Sequence, residues 1–275
     1  LTEYDQAVQY FTEALELSDG WVQNVDYDMN YYLAAAYRKN GQPAEAKKVY
    51  DAILGLKPEE KDAYFLRGSA ELELGDYESA KADFDKAISM DPKNYDRLIE
   101  IYEALADYGY REVGQEYLQN VLNTDKKLDA YDSGRIYYYL GDYQKAYLAL
   151  EEAKGKGGVD SYLYLGKAYA ATGDYNYASS VYSNYLSKQG PDAEIYNQLG
   201  LCELAKKDYQ KALEAFQAGK QIEGNSLMQT LSFNEIVAYE YLQDYQKAAV
   251  LLKAYLQNYP DDQTAIREQQ FLSTR

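Results

Sequence analysis

The sequence predicts an all-α solenoid, a row of antiparallel helix pairs, and three observations predict it. First, an Asp-Tyr pair closed by a small residue recurs along the chain. The closing residue falls at Ala7, Ala46, Ala80, Gly114, Ala146, Ala178, Ala212 and Ala248, at intervals of 39, 34, 34, 32, 32, 34 and 36. A period near 34 is that of one helix, a turn and a second helix. Second, other slots keep step: a small residue twelve before (Ala34, Gly68, Gly134, Gly166, Gly200) and an aromatic or Leu four after (Phe11, Tyr50, Phe84, Leu150, Tyr182, Phe216, Leu252). Third, in Asp62 to Leu74 the apolar residues Ala63, Tyr64, Leu66, Ala70, Leu72 and Leu74 return to shared helical faces and do not alternate.

The elements follow in order. Residues 1–26 hold a half repeat, a lone helix from Thr2 to Leu17 with Tyr4, Ala7, Val8, Phe11, Ala14 and Leu15 on its apolar faces, and an insert, Ser18 to Asp26 with Trp21, read as a lid over that end. Seven pairs are expected at 27–60, 61–94, 95–126, 127–158, 159–192, 193–226 and 229–262. In the 61–94 pair, Gly75 stops the first helix because Gly takes the left-handed conformation without steric cost, and Asp76 caps the second. That helix runs to about Met90 and ends at Asp91-Pro92, since Pro disfavours helical geometry in the residue before it. Pro58 and Pro260 sit at the same offset as Pro92. The 95–126 pair is the weakest, with Tyr102 in the small slot and Gly114 in place of Ala. Lys-Gly-Lys-Gly-Gly at 154–158 replaces the usual turn as the most flexible joint; it has no G-x4-G-K-[ST] pattern, so it is not a nucleotide loop. Residues 262–275 close the chain with a short helix to about Leu272, where Ala265, Ile266 and Leu272 stand among Arg267, Glu268, Gln269 and Gln270, as suits a cap. A solenoid needs no central core, so all 275 residues read as one array.

Composition narrows the function. A formal charge of −17 without any His argues against nucleic acid, because phosphate contacts need clustered Lys and Arg. Residues 1–100 carry 21 Asp/Glu against 11 Lys/Arg, which makes the amino-terminal end the poorer site for an acidic partner. The single Cys202 forms no internal disulfide, and without His neither a zinc cluster nor a Cys/His dyad can be built; no cofactor and no metal are expected. Cys202 reads as a small apolar packing residue. The Asp of each Asp-Tyr turn (Asp76, Asp142, Asp174, Asp208, Asp244) recurs at one repeat position, as caps do, and does not converge with others as a general acid and base would, so the chain reads as no enzyme. No apolar run reaches the ~18 residues of a membrane span. The chain opens at Leu1 with half a repeat, which leaves the compartment open: cytoplasmic, or extracytoplasmic through a leader or lipid anchor upstream.

The repeat resembles that of tetratricopeptide-repeat proteins, whose signature is W-x2-L-G-x2-Y, then A-x3-F, then P. The best copy is Tyr162, Leu165, Gly166, Tyr169, Ala178 and Tyr182, and the resemblance covers nearly the whole chain. It implies a right-handed superhelix of helix pairs with a capping helix, acting as a non-catalytic scaffold that binds a protein or peptide on its concave face. It also implies that the small slot and the closing Ala face one another, so that Tyr102 and Gly114 compensate in volume. Inner-face positions in this family fall on the first helix of each pair. They give Tyr131, Arg135, Tyr138, Tyr139 and Lys167 in the middle of the chain and Leu201, Leu204, Phe233, Val237 and Tyr241 toward its end. Cations among tyrosines, then an apolar stretch, would suit an extended peptide with a carboxylate and, farther along, a hydrophobic anchor. Chaperone-binding members hold a terminal carboxylate with Lys, Asn and Arg. Here the matching positions read Tyr31, Ala35, Leu66, Asp96 and Glu100, or Tyr131, Arg135, Tyr164, Glu194 and Gln198, and neither set is such a clamp. Of the 34 Tyr, fifteen fill regular packing slots; the surplus is evidence for a binding surface, because Tyr joins an apolar ring to a wet hydroxyl. The alternative is a ligand sensor or glycan-contacting receptor whose exposed tyrosines stack on a small molecule or sugar.

Overall fold

The computed structural model describes residues 3–17, 24–153 and 155–273. Among them are sixteen α-helices and no strand: α1 (Glu3–Leu17), α2 (Asn24–Lys39), α3 (Pro43–Leu56), α4 (Lys61–Glu73), α5 (Tyr77–Met90), α6 (Tyr95–Asp107), α7 (Arg111–Thr124), α8 (Ala130–Tyr139), α9 (Tyr143–Ala153), α10 (Gly158–Ala171), α11 (Tyr175–Lys188), α12 (Ala193–Ala205), α13 (Tyr209–Lys220), α14 (Met228–Tyr241), α15 (Tyr245–Asn258) and α16 (Gln263–Leu272). The helices follow as α2 with α3 through α14 with α15, with α1 before and α16 after. Most of the lid segment, including Trp21, lies outside the described residues.

Where the sequence reads as one run, the helices gather into two compact units, Leu1–Asp125 and Lys126–Arg275. The division falls beside the weakest repeat. In the first unit, each helix from α1 to α6 packs on its successor. In the second, α8 to α15 do the same, and α10 also touches α8 and α12, so first helices of successive pairs lie side by side.

The repeat slots explain the packing within a pair. A methyl group added at Gly68 would stand 2.8 Å from Phe84 Cε1, at Gly166 2.2 Å from Tyr182 Cζ, and at Gly200 2.3 Å from Phe216 Cε1. The small slot of the first helix thus admits the ring of the second. Phe84, Tyr182 and Phe216 are fully buried, and each such side chain contributes about 1.5–3 kcal/mol. In the weak repeat the same contact is made in reverse: a methyl at Gly114 would lie 2.9 Å from Tyr102 Cδ2 and 3.1 Å from Tyr102 Cα, so these residues do face each other.

The turns are equally local in origin. Gly41, Gly75, Gly109, Gly141 and Gly173 end the first helices with φ between 71° and 88°. Asp76, Asp174, Asp208 and Asp244 accept a backbone N–H from three residues on, and Asp142 accepts that of Lys145 at 3.3 Å. The side chain three residues on, Ser79 at Asp76 and Lys145 and Lys211 at Asp142 and Asp208, and then these backbone hydrogen bonds, hold the three carboxyls below the usual range. Lys154 lies outside the described residues, while Gly155 and Gly158 of the same joint take positive φ.

Candidate functional site

The carboxy-terminal unit contains every residue proposed for a peptide site, but their surroundings differ. On α8, Tyr131, Asp132 and Arg135 stand three and four residues apart and therefore meet on one helical face. Arg135 Nη2 donates to Asp132 Oδ1 at 2.5 Å, and its Cζ lies 4.4 Å from the centre of the Tyr131 ring. Only 7% of Arg135 is exposed. The Tyr131 ring in turn rests on Gly157, where a methyl group would come within 2.4 Å of it. Arg135 is thus already engaged by a carboxylate from its own helix, contrary to the expectation of a guanidinium presented to a partner. Lys167, on α10, keeps 31% exposure and sits 3.5 Å from Glu194.

Tyr138 and Tyr139 come together with a residue outside the expected set. Tyr164 of α10 meets Tyr138 and Tyr139 at ring centres of 5.5 and 5.9 Å, edge to face, and the Tyr139 and Tyr164 hydroxyls are 3.0 Å apart. Tyr143 adds a fourth ring, 5.7 Å from Tyr138. All are half-buried or partly exposed, so the cluster is an aromatic surface tied across α8 and α10. Tyr164 stands in the sequence only as a clamp position without a cation; its pairing with Tyr138 and Tyr139 across helices leaves no local spacing to read.

The apolar end divides similarly. Leu201 of α12 is 40% exposed and Tyr241 of α14 54%, its ring stacked on Tyr209 at 4.9 Å. Phe233 packs on Tyr255 at 5.7 Å and belongs to the core beneath α15 and α16. Leu204 packs against the core between α13 and α14, and Val237 is half-buried. A hydrogen bond from Asn234 Nδ2 to Asn197 Oδ1 at 2.9 Å ties α14 to α12.

The buried carboxylates of these helices were not foreseen. Glu203 pairs with Lys206 at 2.8 Å, and Glu235 with Lys220 at 2.6 Å and Gln217 at 2.8 Å; in the amino-terminal unit Glu71 pairs with Lys47 at 3.3 Å. Burial pushes the Glu71 carboxyl above its usual range, and Asp83 adds to this. Each is neutralised by a cation, so they read as structural ion pairs. Among the described residues no group of three or more His, Cys, Asp or Glu is placed to hold a metal ion, and no helix is long and apolar enough to cross a membrane. Cys202 is buried, and burial pushes its thiol up to about 12; it packs and does not react.

Stacked helix pairs of this period, several with a Gly-for-ring exchange at Gly68, Gly166 and Gly200 and with Asp-capped turns at Asp76, Asp174, Asp208 and Asp244, define an α-helical repeat protein built to present side-by-side helices to another molecule. The chain belongs to the tetratricopeptide-repeat family: the profiles of that repeat match residues 31–95, 163–226 and 233–262. Repeats of this family are generally non-catalytic scaffolds for protein interaction. Its fold is similar to that of yeast Tom70 (TM-score 0.61, 16% identity, 92% of this chain and 61% of that one). It is also similar to a tetratricopeptide repeat protein from Parabacteroides merdae (TM-score 0.55, 15% identity, 86% and 92%) and to a chain of the APC/C hetero-tetramer Cut9-Hcn1 (TM-score 0.53, 17% identity, 98% and 52%). A mouse FK506-binding protein-like sequence is 42% identical over 62 residues, which are 22% of this chain and 18% of that protein.

Proposed function

We propose that the chain is a non-catalytic scaffold and that residues 126–275 take an extended segment of a partner protein across α8, α10, α12 and α14. The observation that carries this reading is the Tyr138–Tyr139–Tyr164 cluster. It is a set of accessible rings on adjacent first helices, with Lys167 beside it and the exposed Leu201 and Tyr241 farther along. Tyr offers contact area with few rotatable bonds, so an aromatic cluster binds without a large loss of side-chain entropy. A carboxylate of the partner is met by Lys167 in exchange for Glu194, while Arg135 holds Tyr131 in place. An apolar anchor lies against Leu201 and Tyr241, and Leu204, Phe233 and Val237 support them from beneath.

With a partner isolated by affinity capture, calorimetry on the intact chain tests this. Lys167→Ala is expected to weaken binding about fivefold, and Arg135→Ala with Lys167→Ala at least about tenfold, or ~1.4 kcal/mol, with helical content unchanged. Unaltered affinity in both would move the site off α8 and α10. The alternative, a sugar or small molecule on stacked rings, draws on Tyr177, 56% exposed at the end of a Tyr147–Tyr169–Tyr177 stack with ring centres 4.6 and 4.8 Å apart. Loss of the captured ligand on Tyr177→Ala alone would favour it.

A further inference from the structure

The amino-terminal unit has a groove of its own, with a different charge pattern. On α2, Asp28, Tyr31, Tyr32, Ala35 and Lys39 follow at steps of three, one, three and four residues and so share one helical face. Asp28 and Lys39 are eleven residues apart, about 16 Å along the axis at ~1.5 Å per residue. Two hollows of about 480 and 520 Å³ lie along this face and share Tyr31, Tyr32 and Leu66 of α4. That is a volume in the range of ligand sites, roughly 300–1,000 Å³ each.

Most charges around these hollows are already matched. Arg38 pairs with Glu73 at 2.5 Å and Arg97 with Asp62 at 2.8 Å, and Lys57 Nζ lies 3.4 Å from the centre of the Tyr27 ring. The Tyr31 hydroxyl is buried, and burial, then Glu60 and Asp62, drive its ionisation far above the usual range, so the middle of the groove stays neutral. Lys39 lines the first hollow, and Asp28 and Glu60 line the second. Among the described residues these three take no side-chain hydrogen bond or ion pair. The first hollow is lined by Arg38 and Lys39 against Glu73, and the second by Asp28, Glu60 and Asp62 against Lys57 and Arg97, so the groove is apolar between a net positive end and a net negative end, and Tyr32 leaves 61% of its surface open beside it.

We propose that this groove takes a dipolar peptide segment of a partner protein: an acidic side chain at Lys39, an apolar side chain over Leu66 between Tyr31 and Tyr32, and a basic side chain at Asp28 and Glu60. An extended chain advances about 3.3–3.6 Å per residue, so about five residues span the ~16 Å between the ends. Charge complementarity selects this occupant. A wholly acidic segment would bring a carboxylate against Asp28 and Glu60, and a wholly basic one would bring an ammonium against Lys39. Since the groove shares no residue with α8 to α16, its failure and that of the carboxy-terminal site are separate matters.

The test is fluorescence anisotropy on the full chain with end-blocked, labelled six-residue peptides that share a central leucine. Two carry Lys at one end and Glu at the other, in both orders; a third carries Glu at both ends and a fourth Lys at both. One dipolar order is expected to bind at least about fivefold tighter than either single-sign peptide and to weaken as salt is raised, since Lys39 and Asp28 are exposed. Lys39→Glu should weaken it at least about fivefold, and Arg135→Ala with Lys167→Ala should leave it unchanged. Single-sign peptides that bind as well, no binding by any peptide, or indifference to Lys39→Glu would each overturn the proposal. Loss of binding in the Arg135/Lys167 variant alone would assign the peptide to the other unit and overturn it as well.

Discussion

At the scale of single residues, the exchange between Gly114 and Tyr102 makes the sharpest prediction. Ala is the better helix former by about 1 kcal/mol, yet its methyl would be driven into the Tyr102 ring and backbone at 2.9 and 3.1 Å. Overpacking of this kind costs about 1–3 kcal/mol, so Gly114→Ala should destabilise the protein by roughly 1–2 kcal/mol net in urea unfolding; a variant as stable as the parent would contradict the contact. A second residue-level prediction concerns Glu240, whose carboxyl is pushed up to about 7, first by burial and then by the facing carboxylate Glu268 of α16. The folded state therefore holds that proton more tightly than the unfolded chain, where a Glu titrates near ~4.3. The stabilisation is complete below the unfolded value and is lost as pH rises through about 7. Glu268→Gln should raise the melting temperature at pH 8 while changing it little at pH 4, and equal shifts at both would show that the pair does not titrate together. The sequence announced the Gly114 exchange through its broken slots. It was silent on Glu240, because a pairing across helices leaves no local spacing. The Arg135 pair was legible in principle, since Tyr131 and Asp132 stand four and three residues before it, but attention to the inner-face slots hid it.

At the scale of elements, the turn between the two helices of a pair is set by one left-handed residue. Five pairs place Gly there, but Lys207 and Gln243 adopt φ of 64° and 62° in the sixth and seventh pairs. Both side chains are exposed. The left-handed conformation costs an L-residue about 1–2 kcal/mol, partly offset by the extra unfolded-state entropy that Gly brings. Lys207→Gly and Gln243→Gly should each stabilise by about 0.5–1 kcal/mol; a loss of stability on chemical denaturation would mean that these side chains hold the turn. Helix identity, order and caps were legible because each depends on a residue and its neighbours within one turn. The end helices were legible in part. On α16, Ala265 and Leu272 are buried as expected of a cap, whereas α1 buries no residue fully and leaves Tyr10 and Leu17 largely open. The repeat period could not say where compactness breaks, since it runs on past Asp125, where the two compact units divide.

At the scale of the whole molecule, the balance of 45 acidic against 28 basic residues dominates. The exposed ion pairs, Lys48–Glu45, Lys81–Asp85, Lys145–Asp142 and Lys211–Asp208, individually contribute about 0–1 kcal/mol, so their loss on screening is small. The excess of 17 negative charges repels itself in the folded chain, and that repulsion is released when salt shortens the screening length from about 30 Å at 0.01 M to about 8 Å at 0.15 M. The melting temperature should therefore rise with sodium chloride over that range. A chelator tells simple screening from a hidden cation site. If an all-carboxylate site held calcium, its binding energy would be folding energy, and EDTA at fixed ionic strength would lower the melting temperature. With carboxylates placed as helix caps and in ion pairs, the expected result is no change with EDTA alongside a clear rise with salt. A fall with salt would mean that the ion pairs outweigh the net charge; a fall with EDTA would mean that several of these acids meet around a cation.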